Sequence, residues 1–228
     1  MSETRAPATS LFVVVAAFFV TSLVVSNILA VKLAESFGHV YPAGLVLFPL
    51  SYLLGDVLTE VYGYRAARFV IWLGFACNLV AVAAIQLAIA LPPAGFWEGR
   101  QSAYDDVLGQ TWRIFAASFA AYLVGEFANA FVLARMKVAT RGRFLWSRTI
   151  GSTVVGEGLD SAVFVTLAFA GTGAPLVDPI LTTWVIKVLY ETAATPLTYG
   201  IVTYLKRREG VDPYDVGTDF NPFALGRP

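Results

Sequence analysis

Six apolar runs dominate the sequence, each near twenty residues and long enough for a helix to cross about 30 Å of hydrocarbon. They cover residues 11–31, 41–61, 69–91, 114–134, 150–170 and 180–205. Between them lie chain breakers: Gly38 and Pro42, Gly63, Pro92-Pro93 with Gly95 and Gly99, Gly142, then Gly171, Gly173, Pro175 and Pro179. With 57% hydrophobic and 14% charged residues, the chain has the composition of a membrane protein. The expectation is an all-α integral membrane protein of six transmembrane helices, one domain over residues 1–228. The run from Leu11 is longer than a signal-peptide core and is followed by further spans, so it reads as a first helix.

Basic residues set the orientation, because cytoplasmic loops carry the excess of Lys and Arg. Arg65 and Arg68 lie in the second connector, Arg135, Lys137, Arg141, Arg143 and Arg148 in the fourth, and Lys206, Arg207 and Arg208 at the start of the tail. The third connector sets Arg100 and Arg113 against Glu98, Asp105 and Asp106, and the fifth has no basic residue. This asymmetry predicts both termini, Arg5 and the 206–228 tail included, on the cytoplasmic side of a bacterial inner membrane. Trp97, Trp112, Trp146 and Trp184 fall near span ends, where the headgroup layer suits them. A net formal charge of zero gives no reason to expect a nucleic-acid partner.

A passive anchor avoids ionisable residues, since each near the bilayer centre costs about 2.5–3.5 kcal/mol on insertion scales. Here Lys32, Asp56, Glu60, Glu126, Glu157, Asp160, Lys187 and Glu191 all fall within or at the ends of spans. Their spacing gathers them onto faces. Tyr52, Asp56 and Glu60 recur every fourth residue, Glu157 and Asp160 share a face with Ser161, and Glu126 pairs with Asn129 and Lys187 with Glu191. The first span adds Ser22, Ser26 and Asn27, and the third Asn78 and Gln86. A polar interior shared by several helices is the economical arrangement. Taken singly, each residue could equally be structural glue between helices; six acids against two lysines leave a carboxylate surplus suited to a cationic or donor-rich ligand, to protons, or to both. Asp56 and Glu60 are the leading candidates for proton coupling. Gly55, Gly125, Gly151 and Gly156 would let helices approach closely. Gly55-Asp56 with Glu60 corresponds to Gly156-Glu157 with Asp160, a short match that would make the halves a 3+3 inverted repeat.

Enzymatic function is not expected. His39 and Cys77 are each the sole residue of their type, His39 beside a loop and Cys77 in an apolar run, which argues against a hydrolase centre, a metal site or a cofactor. Gly55-Asp56 superficially suggests an intramembrane aspartyl protease, but Leu53 stands where the preceding glycine should be.

Several long stretches carry a resemblance: VSNILAVKL at 25–33, GDVLTEVYGYRAARFVIWLGF at 55–75, AYLVGEFANAFVLARMKVAT at 121–140, RTIGSTVVGEGLDS at 148–161, IKVLYETAATPLTYGIV at 186–202 and EGVDPYDVGTDFNPF at 209–223. Through nearly its whole length the chain resembles the queuosine precursor transporters, grouped with the vitamin uptake transporters. It departs from them at Glu157, where an amide is the commoner family residue. The resemblance implies import of 7-cyano-7-deazaguanine, its aminomethyl analogue or a related deazapurine. Asp56, Glu60, Glu157 and Asp160 would then serve the ring edge or proton coupling, and Asn27, Asn129, Lys187 and Glu191 would orient the ligand or balance charge. Glu126 joins these candidates. The rival reading is a substrate-binding subunit energised by a separate ATPase, and a homodimer is allowed by either.

Overall fold

The structure is a computed structural model describing residues 10–29, 32–36, 39–109, 112–171 and 176–224. Among the described residues seven helices form: α1 (Ser10–Leu29), α2 (Phe48–Tyr62), α3 (Tyr64–Ala90), α4 (Glu98–Leu108), α5 (Trp112–Ala139), α6 (Leu145–Phe169) and α7 (Val177–Glu209). A short antiparallel hairpin, β1 (Leu33–Ser36) and β2 (His39–Pro42), joins α1 to a 3-10 turn at Ala43–Val46. Arg5, Gly38, Gly173 and Pro175, named above, lie outside the described residues.

Four helices, α1, α3, α5 and α6, contain stretches long and apolar enough to cross a membrane. Their outer faces are greasy and their inner faces polar. Leu87 is 70% exposed, Leu189 63% and Phe18 60%, whereas Asp56 is 1% exposed and Glu126 and Asn129 are fully buried. Water would favour the opposite arrangement; hydrocarbon favours this one.

The expected second span departs most from the structure. Residues 41–61 do not form one helix: strand β2 runs to Pro42, the 3-10 turn follows, and α2 begins only at Phe48 with Pro49 in its first turn. Proline is at home there because its missing N–H has no partner in a first turn, and its ring obstructs a helix continuing from upstream. The 15 residues of α2 rise roughly 22 Å, less than the hydrocarbon thickness. This short helix is the centre of the molecule. It packs against α1, α3, α5 and α7, and every residue from Ser51 to Tyr62 is buried. The last helix, α7, has the length to cross, 33 residues or about 50 Å, but its polar residues dilute its hydropathy. The third connector, expected as loop, holds the exposed helix α4, none of whose residues is buried.

Helix direction follows from a few contacts. Phe12 meets Tyr62 edge to face at 5.0 Å, so α1 starts where α2 ends. Gly63, at φ +85°, reverses the chain there with a backbone geometry that a side chain would strain, and α3 starts at once. Lys137 near the end of α5, Arg148 near the start of α6 and Lys206 near the end of α7 all reach Glu60. One end of the bundle therefore gathers the basic residues.

The α5–α6 contact, the most extensive in the fold, depends on two glycines. A Cβ on Gly125 would stand 2.7 Å from the Cβ of Asp160, and one on Gly156 would stand 2.7 Å from the Cβ of Asn129 and 2.9 Å from the Gly125 carbonyl oxygen. Close approach of this kind, driven by packing rather than by exclusion from water, is how helices associate in lipid. Gly156→Leu should push α6 away from α5 and cost at least the 1–3 kcal/mol typical of overpacking, approximately, seen as a lower melting temperature in detergent.

Candidate functional site

The buried polar groups fall into two clusters one helical turn apart on α2, one around Asp56 and the other around Glu60.

At Asp56, four helices converge. Asn129 of α5 donates from Nδ2 to Asp56 Oδ1 at 2.7 Å, leaving Asp56 Oδ2 and Asn129 Oδ1 buried without partners. On α6, Glu157 and Asp160 share the ammonium of Lys187 from α7, at 2.7 and 2.5 Å. The same ammonium lies 4.9 Å from the centre of the Phe48 ring and 5.7 Å from that of Tyr52, so α2 supplies it with an aromatic floor. Glu191, one turn beyond Lys187, is buried and close enough to Asp56 for their charges to repel. Glu126 completes the group from α5, its carboxyl against the backbone of Gly55; a Cβ on that glycine would stand 3.2 Å from its Cδ. The Tyr52 hydroxyl, the Tyr122 hydroxyl and Ser161 Oγ are also buried without partners. Five carboxylates and one ammonium thus occupy a buried region, rich in acceptors that the described residues leave unused.

The Glu60 cluster is of a different kind. Glu60 Oε1 accepts from Lys206 Nζ at 2.6 Å and Arg148 Nη2 at 3.0 Å, and Lys137 Nζ donates to the Glu60 carbonyl oxygen at 2.7 Å. Lys137 and Lys206 also hold Asp212 of the tail, at 2.7 and 2.9 Å. The tail continues as a strap across the basic end. Asp215 accepts from the Tyr64 backbone N–H at 3.1 Å, supplying a carboxylate at the start of α3 where helix ends favour negative charge. Arg68 donates to the carbonyls of Asp219 and Asn221, Trp72 to that of Pro222, and Phe220 packs on Tyr64 and Phe131. Partial burial pushes the Asp212 carboxyl up, but hydrogen bonds from Lys137 and Lys206 outweigh it and hold its pKa below the ordinary aspartate value.

Polar stripes that converge inside a bundle with an apolar exterior are the architecture of a membrane transporter. A family model described as "Putative vitamin uptake transporter" matches residues 42–201. The chain belongs to that family. The matched segment runs from the end of β2 into α7 and so includes the whole Asp56 cluster. Among curated relatives, the chain is 28% identical over 179 residues to the "Probable queuosine precursor transporter" of Bacillus subtilis (strain 168), an alignment covering 77% of this chain and 78% of the relative. No solved structure matches.

Of the residues singled out in the sequence, the structure brings together Asp56, Glu126, Asn129, Glu157, Asp160, Lys187 and Glu191. It does not join two others to them. Glu60 is engaged by Arg148 and Lys206, and Asn27, half-buried near the end of α1, takes no part in the hydrogen-bond network among the described residues. Lys32 is exposed beyond the end of α1. The partners of Glu60 are hard to see in the sequence, where Lys137, Arg148 and Lys206 read as loop charges that report orientation. Their one sequence signal was position: each stands within a helical turn or so of a span end, where a long side chain can turn inward.

Proposed function

We propose that the protein imports a queuosine precursor, 7-cyano-7-deazaguanine or a closely related deazapurine, and that the Asp56 cluster recognises it. The carrying observation is that Asp56 is buried with one oxygen committed to Asn129 and the other free. A deazaguanine presents ring and exocyclic N–H groups along one edge, which a carboxylate accepts well, and a carbonyl that Lys187 or the Asn129 amide can hold. Tyr52 and Phe48 offer faces on which its flat ring can stack. Glu157, Asp160 and Glu191 supply negative charge for an aminomethyl substituent. The substrate named for the Bacillus subtilis relative supports the same reading.

In this reading α2 and α7 complete six crossings, the basic end faces the cytoplasm of a bacterial inner membrane, and both termini lie there. The opposite courses of α2 and α6, which carry Gly55-Asp56 and Gly156-Glu157, favour the inverted repeat. The cluster is buried, and alternating access would bring the substrate to it by movement of the helices.

Asp56→Asn tests the assignment. It keeps the shape and the contact with Asn129 but puts an amide N–H where a carboxyl oxygen would accept from the substrate, and leaving a buried donor unsatisfied costs about 1–3 kcal/mol. The affinity of the purified protein for 7-cyano-7-deazaguanine should fall roughly 10- to 100-fold with little change in melting temperature. A wild-type protein that binds no deazapurine would reject the substrate.

A further inference from the structure

The helices fall into two groups. Helices α1, α2 and α3 pack on one another, and α6 holds α5 on one side and α7 on the other; the main contacts between the groups are those of α2 with α5 and α7 and of α3 with α5. Both polar clusters lie on this boundary, with α2 on one side of it and the second group on the other. At the level of Glu60 the two sides carry opposite charge. The first group brings the fully buried Glu60 carboxylate, and the second brings Lys206 at 2.6 Å, Arg148 at 3.0 Å and Lys137 at 3.7 Å. Lys137 also donates to the Glu60 carbonyl oxygen. These ties hold the groups together at the basic end, one turn of α2 from Asp56. A ligand leaving the Asp56 cluster in that direction would have to pass them.

We infer that Glu60 with Lys137, Arg148 and Lys206 is the gate of the transport path at the basic end, closed in this structure and opened when the two helix groups part there. The inference rests on the transport function proposed above. Ion pairs suit a gate that must reopen, because desolvation of the charges offsets much of their attraction, and water entering the parting end returns their hydration. Asp212 eases the opening further. It follows α7 in the chain and lies 2.7 Å from Lys137 and 2.9 Å from Lys206, so both lysines keep an anion when Glu60 withdraws with α2. Beyond Asp212 the tail crosses to the first group. There Asp215 accepts from the Tyr64 N–H, and the carbonyls of Asp219, Asn221 and Pro222 accept from Arg68 and Trp72. The tail is therefore a tether between the groups that limits how far this end opens.

Thr153 and Ser161 can report on the two directions of access. With Glu157 they recur every fourth residue on α6, Thr153 toward the basic end and Ser161 away from it. Both are buried, and neither hydroxyl has a partner among the described residues. The experiment uses the full chain with Cys77→Ala, carrying Thr153→Cys or Ser161→Cys, in sealed vesicles of each orientation. A membrane-impermeant thiol reagent is supplied to the basic end for the first reporter and to the opposite end for the second. Glu60→Gln should raise the ratio of the first labelling rate to the second at least tenfold, because a bundle that opens at one end closes at the other. An unchanged ratio would overturn the gate, whether both rates rise, as general loosening would cause, or neither moves. Should Glu60→Gln not fold, Lys206→Gln removes a partner whose side chain is 22% exposed and should shift the ratio the same way; no shift counts equally against the gate. The labelling needs no substrate. A wild-type protein that binds no deazapurine therefore rejects the substrate assignment, whereas an unchanged ratio in a protein that binds one rejects the gate alone.

Discussion

Replacing Lys187 by methionine should abolish substrate binding and destabilise the protein by about 3–5 kcal/mol, the range found when one partner of a buried ion pair is removed. Among the described residues Lys187 is the one cation of the Asp56 cluster, and its side chain is only 10% exposed. Without it Glu157 and Asp160 face each other across one turn of α6 with no counter-charge, and Phe48 and Tyr52 lose the group that lies over their rings. The effect should be far from additive with neighbouring changes. Asp160→Asn in the Lys187→Met background removes one of the two stranded charges and should raise the melting temperature above that of the single mutant without restoring binding. Equal melting temperatures for the single and double variants would show that the ion pairs do not hold this part of the bundle together.

At the other cluster, Glu60→Gln should lower stability by a comparable amount, about 3–5 kcal/mol, for the converse reason. The Glu60 side chain is fully buried and supplies the carboxylate shared by Arg148 and Lys206, with Lys137 3.7 Å away. Once neutral, it leaves Arg148 without its carboxylate and Lys137 and Lys206 with Asp212, whose side chain is 46% exposed and better screened. The strap formed by residues 212–223 should loosen, read as faster amide exchange over that segment. Deazapurine affinity in the surviving fold should change little, in contrast to Asp56→Asn. Acid should act in the same direction. The pKa of Asp212 is depressed in the fold, so its contribution is complete above the ordinary aspartate value and disappears as the pH falls through the lower folded value. A Glu60→Gln protein with normal stability and weakened binding would return Glu60 to the substrate site.

The comparison of Asp56 with Glu60 shows how far spacing alone can be read. Four residues apart on one helix, they look equivalent in the sequence, and both were natural candidates for proton coupling. Helical periodicity correctly put them on one face, but it carries no information about what stands opposite each turn. Opposite Asp56 stands an amide; opposite Glu60 stand a guanidinium and an ammonium. The extent of α2 was hidden for a related reason. Residues 41–47 are apolar enough to extend a hydrophobic run, so hydropathy merged them with the helix, although Pro42, Gly44 and Pro49 were signs that the backbone would break. Helix α4 lay in a segment read as loop because it has no apolar face to reveal it.

By itself the sequence determined which segments seek hydrocarbon, at which end the positive charges collect, and which face of each helix carries the polar groups, since these depend only on composition and the 3.6-residue period. The tertiary structure decided which acid meets which cation and which is left alone. That choice turns on separations of a few ångströms between helices, set by contacts such as Gly125 against Gly156, where ion pairing and its absence differ by several kcal/mol, roughly, in a medium with little water to screen them.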